Sequence, residues 1–225
     1  MKGNKMVVGL FVVFEGVDGS GKGTAIGHVE KAIRGWNKYQ NIVLTREPTH
    51  KARELIGMLE KQDDPMTNAR RMTELFVGED RKPHYHNEIK PDVAKQRVVL
   101  GDRFSMSTLA YQSAQNQPMD ELIRAHEIAE IEAPDVTYYL DLDAEEAIRR
   151  IAKRCQTKEI FEQPDFIRKV VACHELIYAN SLELDSITNK LLGRVVKINA
   201  NLSQEEVARQ ILENFEPLYK TRNGK

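Results

Sequence analysis

The stretch Phe14-Glu-Gly-Val-Asp-Gly-Ser-Gly-Lys-Gly-Thr24 decides the fold, because it joins an apolar run at residues 7–14 to a segment with helical periodicity. Within it, Gly16 and Gly21-Lys22 have the Gly-x-x-x-x-Gly-Lys spacing of a phosphate-binding loop. Glycines allow the backbone N–H groups to point inward, and the lysine meets the phosphates at the N-terminus of the next helix. The sequence therefore predicts a phosphate site between the first strand and the first helix.

The residue after the lysine departs from the commonest form of such a loop. In that form a Ser or Thr hydroxyl follows the lysine and binds the magnesium ion. Here Gly23 occupies that position, and Thr24 comes one residue later. The magnesium ligands therefore stay open, and Asp18, Thr24 and Asp102 are the candidates.

Length and composition indicate one soluble globular domain over residues 1–225, large enough to bury a substantial core. Hydrophobic residues make up 41% and charged residues 30%, which excludes a disordered chain. Lys and Arg total 33 against 34 for Asp and Glu, so the net charge of -1 gives no indication of a nucleic-acid or membrane partner. Any anion site must come from local clustering of cations.

The cysteines and the first apolar run bear on the location of the protein. Cys155 and Cys173 lack the spacing of metal ligands, so a reducing cytoplasm is the simplest setting. The run at residues 7–14 is too short to span a bilayer, and it continues into Glu15 and Asp18 rather than into a cleavage site. We therefore expect a buried strand there and a cytoplasmic protein.

Short apolar runs rich in β-branched residues alternate with helical patterns along the chain. The predicted strands are residues 7–14, 41–44, 97–100, 136–140 and 194–198, and the predicted helices are residues 24–36, 52–60, 67–77, 107–114, 120–131, 144–154, 166–184 and 203–214. This alternation predicts an α/β fold with a parallel sheet that is covered by helices on both faces.

Charged residues follow several of these strands, at the edge where ligands bind in such sheets. Arg46 follows the second strand, and Asp102-Arg103 follows the third. An isolated Asp-Arg pair is more often a salt bridge, but next to a phosphate loop the carboxylate can hold hydrated magnesium and the arginine can bind phosphate oxygens. Two arginines and Lys22 exceed the needs of one nucleotide, which predicts phosphoryl transfer between a donor and an acceptor nucleotide.

Two further segments have alternative interpretations. Phe76 has the helical spacing of a core residue, although its ring could also stack on a base while Arg81 donates to the carbonyl oxygens of that base. The basic cluster of residues 149–158 is either a solvated helix face or a mobile lid that brings a cation to the donor phosphates. This cluster consists of Arg149, Arg150, Lys153, Arg154 and Lys158.

The glycine loop, Thr45-Arg-Glu-Pro-Thr49 and Asp102-Arg-Phe-x-x-Ser107-x-x-Ala110-Tyr-Gln112 occur in the order in which they occur in the thymidylate kinase family. The chain resembles that family of P-loop nucleoside monophosphate kinases from about residue 8 to residue 207. The resemblance implies a P-loop NTPase-type, three-layer α/β fold with a five-stranded parallel sheet flanked by helices, and a mobile lid at about residues 150–165.

The same resemblance implies a reaction. The family transfers the γ-phosphate of ATP to dTMP, giving dTDP and ADP for dTTP synthesis, with Mg²⁺ and usually as a homodimer. The alternatives are a kinase for dUMP, UMP or CMP, and a non-catalytic nucleotide-binding protein. The last is disfavoured because a mere binder has little use for Arg46 and Arg103.

Residue roles follow from the positions that match the family. The ATP phosphates would contact Gly16, Val17, Asp18, Gly19, Ser20, Gly21, Lys22, Gly23 and Thr24. The acceptor nucleotide would contact Arg46, Phe76, Arg81, Arg103, Ser107, Thr108, Tyr111 and Gln112, with the Tyr111 ring disfavouring a ribose 2′-hydroxyl. Catalysis would rest on Lys22, Arg103, Asp18 and a lid cation, and the loop at residues 199–201 would border the adenine.

Three departures from the family pattern qualify these roles. Gly19 stands where some members have a catalytic arginine, which favours a lid cation: Arg154 first, then Arg150 or Lys158. Phe76 and Arg81 are five residues apart rather than four, so either the helix bulges or not both residues contact the base. Val171 and His174 stand where the family often has Arg and Tyr.

Overall fold

The computed structural model describes residues 9–61, 64–154, 159–183 and 187–222. Its sheet consists of β1 (Leu10–Glu15), β2 (Ile42–Arg46), β3 (Val98–Asp102), β4 (Val136–Asp141) and β5 (Arg194–Asn199). All pairings are parallel, in the order β2-β3-β1-β4-β5. The predicted parallel α/β sheet is confirmed, and residues 7 and 8 of its first predicted strand lie outside the described residues.

The central strand β1 shows why helices cover both faces of the sheet. Side chains of a strand point alternately to opposite faces. Leu10, Val12 and Phe14 belong to one apolar cluster, whereas Phe11 and Val13 belong to another. Because each face has its own buried cluster, the strand is apolar throughout and the sheet forms the middle of three layers.

The helices around the sheet mostly begin and end within a few residues of the predicted bounds. They are α1 (Lys22–Trp36), α2 (Arg53–Leu59), α3 (Ala69–Thr73), α4 (Lys82–His84), α5 (Lys90–Ala94), α6 (Ser105–Ala114), α7 (Met119–Ile128), α8 (Ala144–Ala152), α9 (Pro164–Ser181), α10 (Ile187–Leu192) and α11 (Gln204–Arg222). A 3₁₀ turn, Ile160–Glu162, precedes α9. No described helix is both long and apolar enough to cross a membrane.

The prediction that a helix ends near Gly78 is wrong. The chain stays helical from residue 69 to residue 94, because the π-helical turns π1 (Glu74–Arg81) and π2 (Tyr85–Ile89) join α3, α4 and α5. Val77, Tyr85 and Ile89 are buried in the second apolar cluster. Their burial outweighs the helix cost of a glycine, which is about 1 kcal/mol.

The closing helix is also longer than predicted. Helix α11 continues past Asn214 to Arg222 with Pro217 inside it. Phe215 and Tyr219 pack on Trp36 of α1, with ring centroids 6.1 and 5.5 Å from the indole. This aromatic contact extends the buried face of α11 beyond the proline.

Candidate active site

The carboxyl ends of β1, β2 and β3 bring the predicted site residues to one edge of the sheet. In the strand register, Asp102 lies beside Phe14 on one side and beside Arg46 on the other. A cavity of about 1010 Å³ opens at this edge. Its lining includes Asp18 of the glycine loop and Arg154 of the predicted lid.

The glycine loop has a backbone that side chains would disrupt. Gly16 has a φ of 137°, and a Cβ atom there would lie 2.6 Å from the carbonyl oxygen of Leu140. Gly19 has a φ of 83°, and its Cβ would lie 3.3 Å from the carbonyl oxygen of Ala147. Only glycine adopts both conformations without strain. The loop can therefore pass close beneath a ligand, and a side chain at position 19 would be strained.

The loop leads into an N-terminus that is suited to an anion. Helix α1 begins at Lys22, has no side-chain cap on its first N–H groups and has no acidic residue in its first turn. Free N–H groups and the helix dipole favour negative charge at such an end. The local structure therefore fits the phosphate site that the sequence predicts.

Lys22 is folded back over the loop and only 7% exposed. Its Nζ atom donates to the carbonyl oxygens of Gly16 at 3.1 Å and Val17 at 3.2 Å. Burial, together with the charge of Arg103, lowers the pKa of Lys22 to about 8, against the opposing pull of nearby carboxylates. The ammonium group is thus a poorly solvated cation that phosphate oxygens would stabilise.

Arg103 and Asp18 form the central ion pair of the cavity. Arg103 Nη2 lies 2.6 Å from Asp18 Oδ1, and the Tyr111 hydroxyl donates to Asp18 Oδ2 at 3.0 Å. Arg103 Nη1 donates to the Ser107 hydroxyl at 3.0 Å, and the guanidinium lies over the Tyr111 ring. The backbone of Arg103 has a φ of 71°, which is uncommon outside glycine. This strained position turns the side chain toward the loop.

The charges of this cluster stabilise one another. Burial alone would raise the pKa of Asp18, but Arg103, Lys22 and the Tyr111 hydrogen bond hold it well below its usual range. Burial likewise opposes the charge of Arg103, yet the facing carboxylates raise its pKa. Both groups are therefore ionised at neutral pH.

Glu15 is a site residue that the sequence analysis missed. Its Oε1 atom accepts from the backbone N–H groups of Phe104 (2.8 Å) and Ser107 (3.1 Å), and its Oε2 accepts from the Ser107 hydroxyl (2.5 Å). Burial raises the pKa of Glu15 although these hydrogen bonds oppose the shift. The sequence feature that could have identified it is an acidic residue directly after an apolar strand. Glu15 holds the start of α6, and with it Arg103, against the glycine loop.

The predicted magnesium ligands are not equally placed. Asp18 and Asp102 line the cavity, and the buried Asp102 Oδ1 and Ser20 Oγ atoms have no hydrogen-bond partner in the part of the chain that the structure describes. Thr24 is exposed and does not line the cavity. No three His, Cys, Asp or Glu side chains of the described chain cluster as metal ligands. Magnesium bound through one or two carboxylates, water and substrate phosphates fits this arrangement.

The basic residues at the cavity mouth differ in what they contact. Arg46 lines the cavity, is exposed, and has no hydrogen bond or ion pair with a described residue. Arg154 also lines the cavity, and its Nη2 atom lies 2.7 Å from Glu162 Oε1. Arg150 instead donates to the carbonyl oxygens of Gly19 and Ala200, both at 3.2 Å.

Of the other predicted lid cations, Arg149 pairs with Glu146 on the surface and Lys158 lies outside the described residues.

Phe76 and Arg81, five residues apart, both lie in the π-helical turn π1. A π-helix hydrogen-bonds residue i to residue i+5 and has more residues per turn than an α-helix, so it accommodates the extra residue of this spacing. Both residues line the cavity. The bulge that the sequence left open is thus present, and it brings the ring and the guanidinium to the same wall.

Two buried polar atoms on α6 are available at this wall. Thr108 Oγ1 and Gln112 Oε1 have no hydrogen-bond partner among the described residues, and both residues line the cavity. A buried polar atom without a partner is costly, so a ligand that pairs with it gains affinity. His174 lies behind them, with its ring edge against Tyr111 and its face stacked on Tyr139.

Similarity to known proteins agrees with this geometry. A model of the thymidylate kinase family matches residues 14–211. The probable thymidylate kinase of Thermococcus gammatolerans is 33% identical over 214 residues, which cover 91% of this chain and 95% of that protein. The thymidylate kinase of Mesoplasma florum is 34% identical over 221 residues, covering 92% and 97%. That of Lactobacillus delbrueckii subsp. bulgaricus is 37% identical over 180 residues, covering 76% and 79%. This chain therefore belongs to the thymidylate kinase family.

Proposed function

We propose that this protein transfers the γ-phosphate of ATP to dTMP, giving dTDP and ADP for dTTP synthesis. The observation that carries the proposal is one cavity lined by Asp18, Arg46 and Arg103 beside the phosphate loop and Lys22. Such a site suits two phosphate-bearing substrates rather than one. Family membership supports the same reaction.

Catalysis would rest on positioning and charge neutralisation, since phosphoryl transfer needs neither a covalent intermediate nor a strong base. Residues 16–24 would hold the ATP phosphates, with Lys22 on the β- and γ-phosphates. Arg46 and Arg103 would hold the acceptor phosphate. Because its pKa lies well below the usual range, Asp18 is a weak base, and we assign it to orienting Arg103.

Mg²⁺ is the metal that we propose for this site. When bound, it would neutralise charge on the phosphates, and Asp18 and Asp102 would hold it. The buried Asp102 Oδ1 atom without a partner supports this assignment.

The acceptor base would lie between Phe76 and the polar atoms of α6. Phe76 would stack on the thymine ring, and Arg81 would donate to a carbonyl oxygen of the base. Thr108 and Gln112 would supply the partners that their buried oxygens lack. Tyr111, which hydrogen-bonds to Asp18, would lie against the sugar and disfavour a ribose 2′-hydroxyl.

The lid cation would be Arg154. It lines the cavity, and its side chain is 40% exposed, so it can exchange its contact with Glu162 for one with a phosphate. Arg150 is less suited, because its contacts already tie α8 to the glycine loop and to residue 200.

We further propose a single-domain, cytoplasmic homodimer, in keeping with the family. Light scattering after gel filtration should then give about twice the chain mass of 25.8 kDa. A monomer across the working concentration range would contradict the homodimer while leaving the proposed reaction intact.

The experiment that tests the reaction is a coupled assay of ADP release with dTMP, dUMP, UMP and CMP as acceptors. We expect dTMP to have the highest kcat/KM, and Lys22→Ala and Arg103→Ala to lower turnover by orders of magnitude while leaving the fold intact. A preference for UMP or CMP would refute the role of Tyr111. ATP binding without ADP formation on any acceptor would indicate a non-catalytic binder.

A further inference from the structure

His126 lies outside the cavity but contacts one of its walls. It belongs to α7, is 0% exposed and does not line the cavity. Its Nδ1 atom lies 2.7 Å from the carbonyl oxygen of Leu122, and its Nε2 atom lies 2.8 Å from Arg81 Nη1. A buried imidazole thus connects α7 to the arginine of π1.

The two partners determine the protonation of the ring. A carbonyl oxygen only accepts, so Nδ1 carries the proton that is donated to Leu122. A guanidinium only donates, so Nε2 presents a lone pair to Arg81. His126 is therefore neutral, in the Nδ1–H tautomer. Burial and the charge of Arg81 agree with this, since they lower the pKa of His126 to about 3.

Arg81 is held on every side except one. Its Nε and Nη2 atoms lie 2.6 Å from Glu47 Oε2, and Nη2 also donates to the carbonyl oxygen of Phe104 at 2.9 Å. Its guanidinium also lies over the Phe104 ring. With one Nη1 hydrogen donated to His126, the second Nη1 hydrogen is the one for which the described chain offers no acceptor.

Glu47 is not available to accept the second Nη1 hydrogen of Arg81. Its second oxygen, Oε1, is engaged by His84 Nδ1 at 2.9 Å, and His84 Nε2 in turn lies 2.7 Å from the Thr45 hydroxyl. Glu47 is itself buried. Arg81 is only 1% exposed but lines the cavity, so a ligand there can supply the acceptor that the described chain does not.

The bonds of a guanidinium are planar, so the direction of one Nη1 hydrogen fixes the direction of the other. We propose that His126 is a positioning residue for recognition of the acceptor base, which aims the free Nη1–H of Arg81 at a carbonyl oxygen of that base. This inference rests on the proposed function, because it assigns a residue to base recognition in the same site. The class of ligand that it favours is a pyrimidine with a carbonyl, not an amino group, facing Arg81.

Two substitutions separate positioning from packing. His126→Gln keeps an acceptor oxygen near the place of Nε2, whereas His126→Leu fills similar space with no acceptor. Titration calorimetry would give the dTMP Kd of each variant, and the coupled assay would give KM for dTMP, dCMP and ATP. Thermal unfolding would report on the fold.

We expect His126→Leu to raise the dTMP Kd and KM about tenfold or more, since a hydrogen bond to a charged group is lost. Its KM for ATP should stay within about twofold, and its preference for dTMP over dCMP should fall. His126→Gln should restore both the dTMP affinity and the preference. ¹⁵N NMR should show the Nδ1–H tautomer in the wild type.

Equal dTMP affinity of wild type and His126→Leu would overturn the inference, as would equal rises of KM for dTMP and ATP or an Nε2–H tautomer. No restoration in His126→Gln would also overturn it. Wild-type protein that binds dTMP without phosphorylating it would refute the proposed function, while the Kd ratio still decides on His126. Absence of dTMP binding would refute both.

Discussion

The low pKa of Lys22 leads to a pH dependence of ATP binding. The lysine must be protonated to bridge the β- and γ-phosphates, and burial lowers its pKa to about 8 in the free protein. Bound phosphates would stabilise the cation and raise that pKa. ATP affinity should therefore be fully present below about pH 8 and be lost as the pH rises through the pKa of the free protein.

The size of the effect follows from the protonated fraction. Between about pH 7.5 and about pH 9.5 this fraction falls about 25-fold for a lysine with a pKa of about 8. For a lysine with the ordinary value of 10.5, it falls by about a tenth over the same range. Phosphate groups, with a second pKa of about 6, are already ionised throughout. The two cases differ enough to be told apart by any affinity measurement.

Titration calorimetry of ATP against the wild-type protein across this range is the direct assay. We expect the Kd to rise about 25-fold and kcat/KM for ATP to fall in parallel. The matched control is Lys22→Arg, which keeps a cation that does not titrate here and should show a flat Kd. An ATP affinity that changes less than about twofold in the wild type would refute the combination of a low Lys22 pKa with a contact between Lys22 and phosphate.

Three further predictions concern the lid, the loop and the first helix. Arg154→Ala should lower kcat about a thousandfold, because a cation at the transferred phosphate is lost. The control Arg168→Ala removes only exposed ion pairs and should leave kcat within about twofold. Equal effects of the two substitutions in the ADP-release assay would exclude Arg154 as the lid cation. Gly16→Ala should lower both Tm and ATP affinity because its Cβ would clash with the Leu140 carbonyl oxygen. A Cβ atom at Gly27 of α1 would meet open space, so Gly27→Ala should raise the free energy of unfolding by about 0.5–1 kcal/mol, as measured by urea unfolding. A lower free energy of unfolding would contradict this.

Most of the sheet, and the residues at the edge of the sheet that forms the site, were predictable from the sequence because both depend on local patterns. Five apolar runs gave the strands to within a few residues, and their carboxyl ends carry Arg46 and Asp102-Arg103. The parallel topology then brings these residues to the glycine loop without further information. Glu15 could have been included on the same grounds, since it ends the central strand.

The wall formed by π1 was not predictable, because its conformation depends on distant residues. Gly78 and Pro83 suggest the end of a helix. The chain continues as a π turn in which Arg81 reaches Glu47, 34 residues earlier, and His126, 45 residues later. A pattern of local propensities contains neither contact, so the spacing of Phe76 and Arg81 could offer a bulge as one of two explanations but could not decide between them.

Three cations in or beside the cavity are paired with other groups of the described chain and a fourth is not, which bears on how substrates enter. Lys22 is held by loop carbonyls, Arg103 by Asp18 and Arg154 by Glu162, whereas Arg46 is exposed without such a contact. Prepaired cations lose little conformational freedom when a phosphate replaces their partner. The unpaired one is free to make the first contact with an incoming anion. Acceptor binding should thus depend on ionic strength mainly through Arg46, and turnover mainly on the prepaired cations.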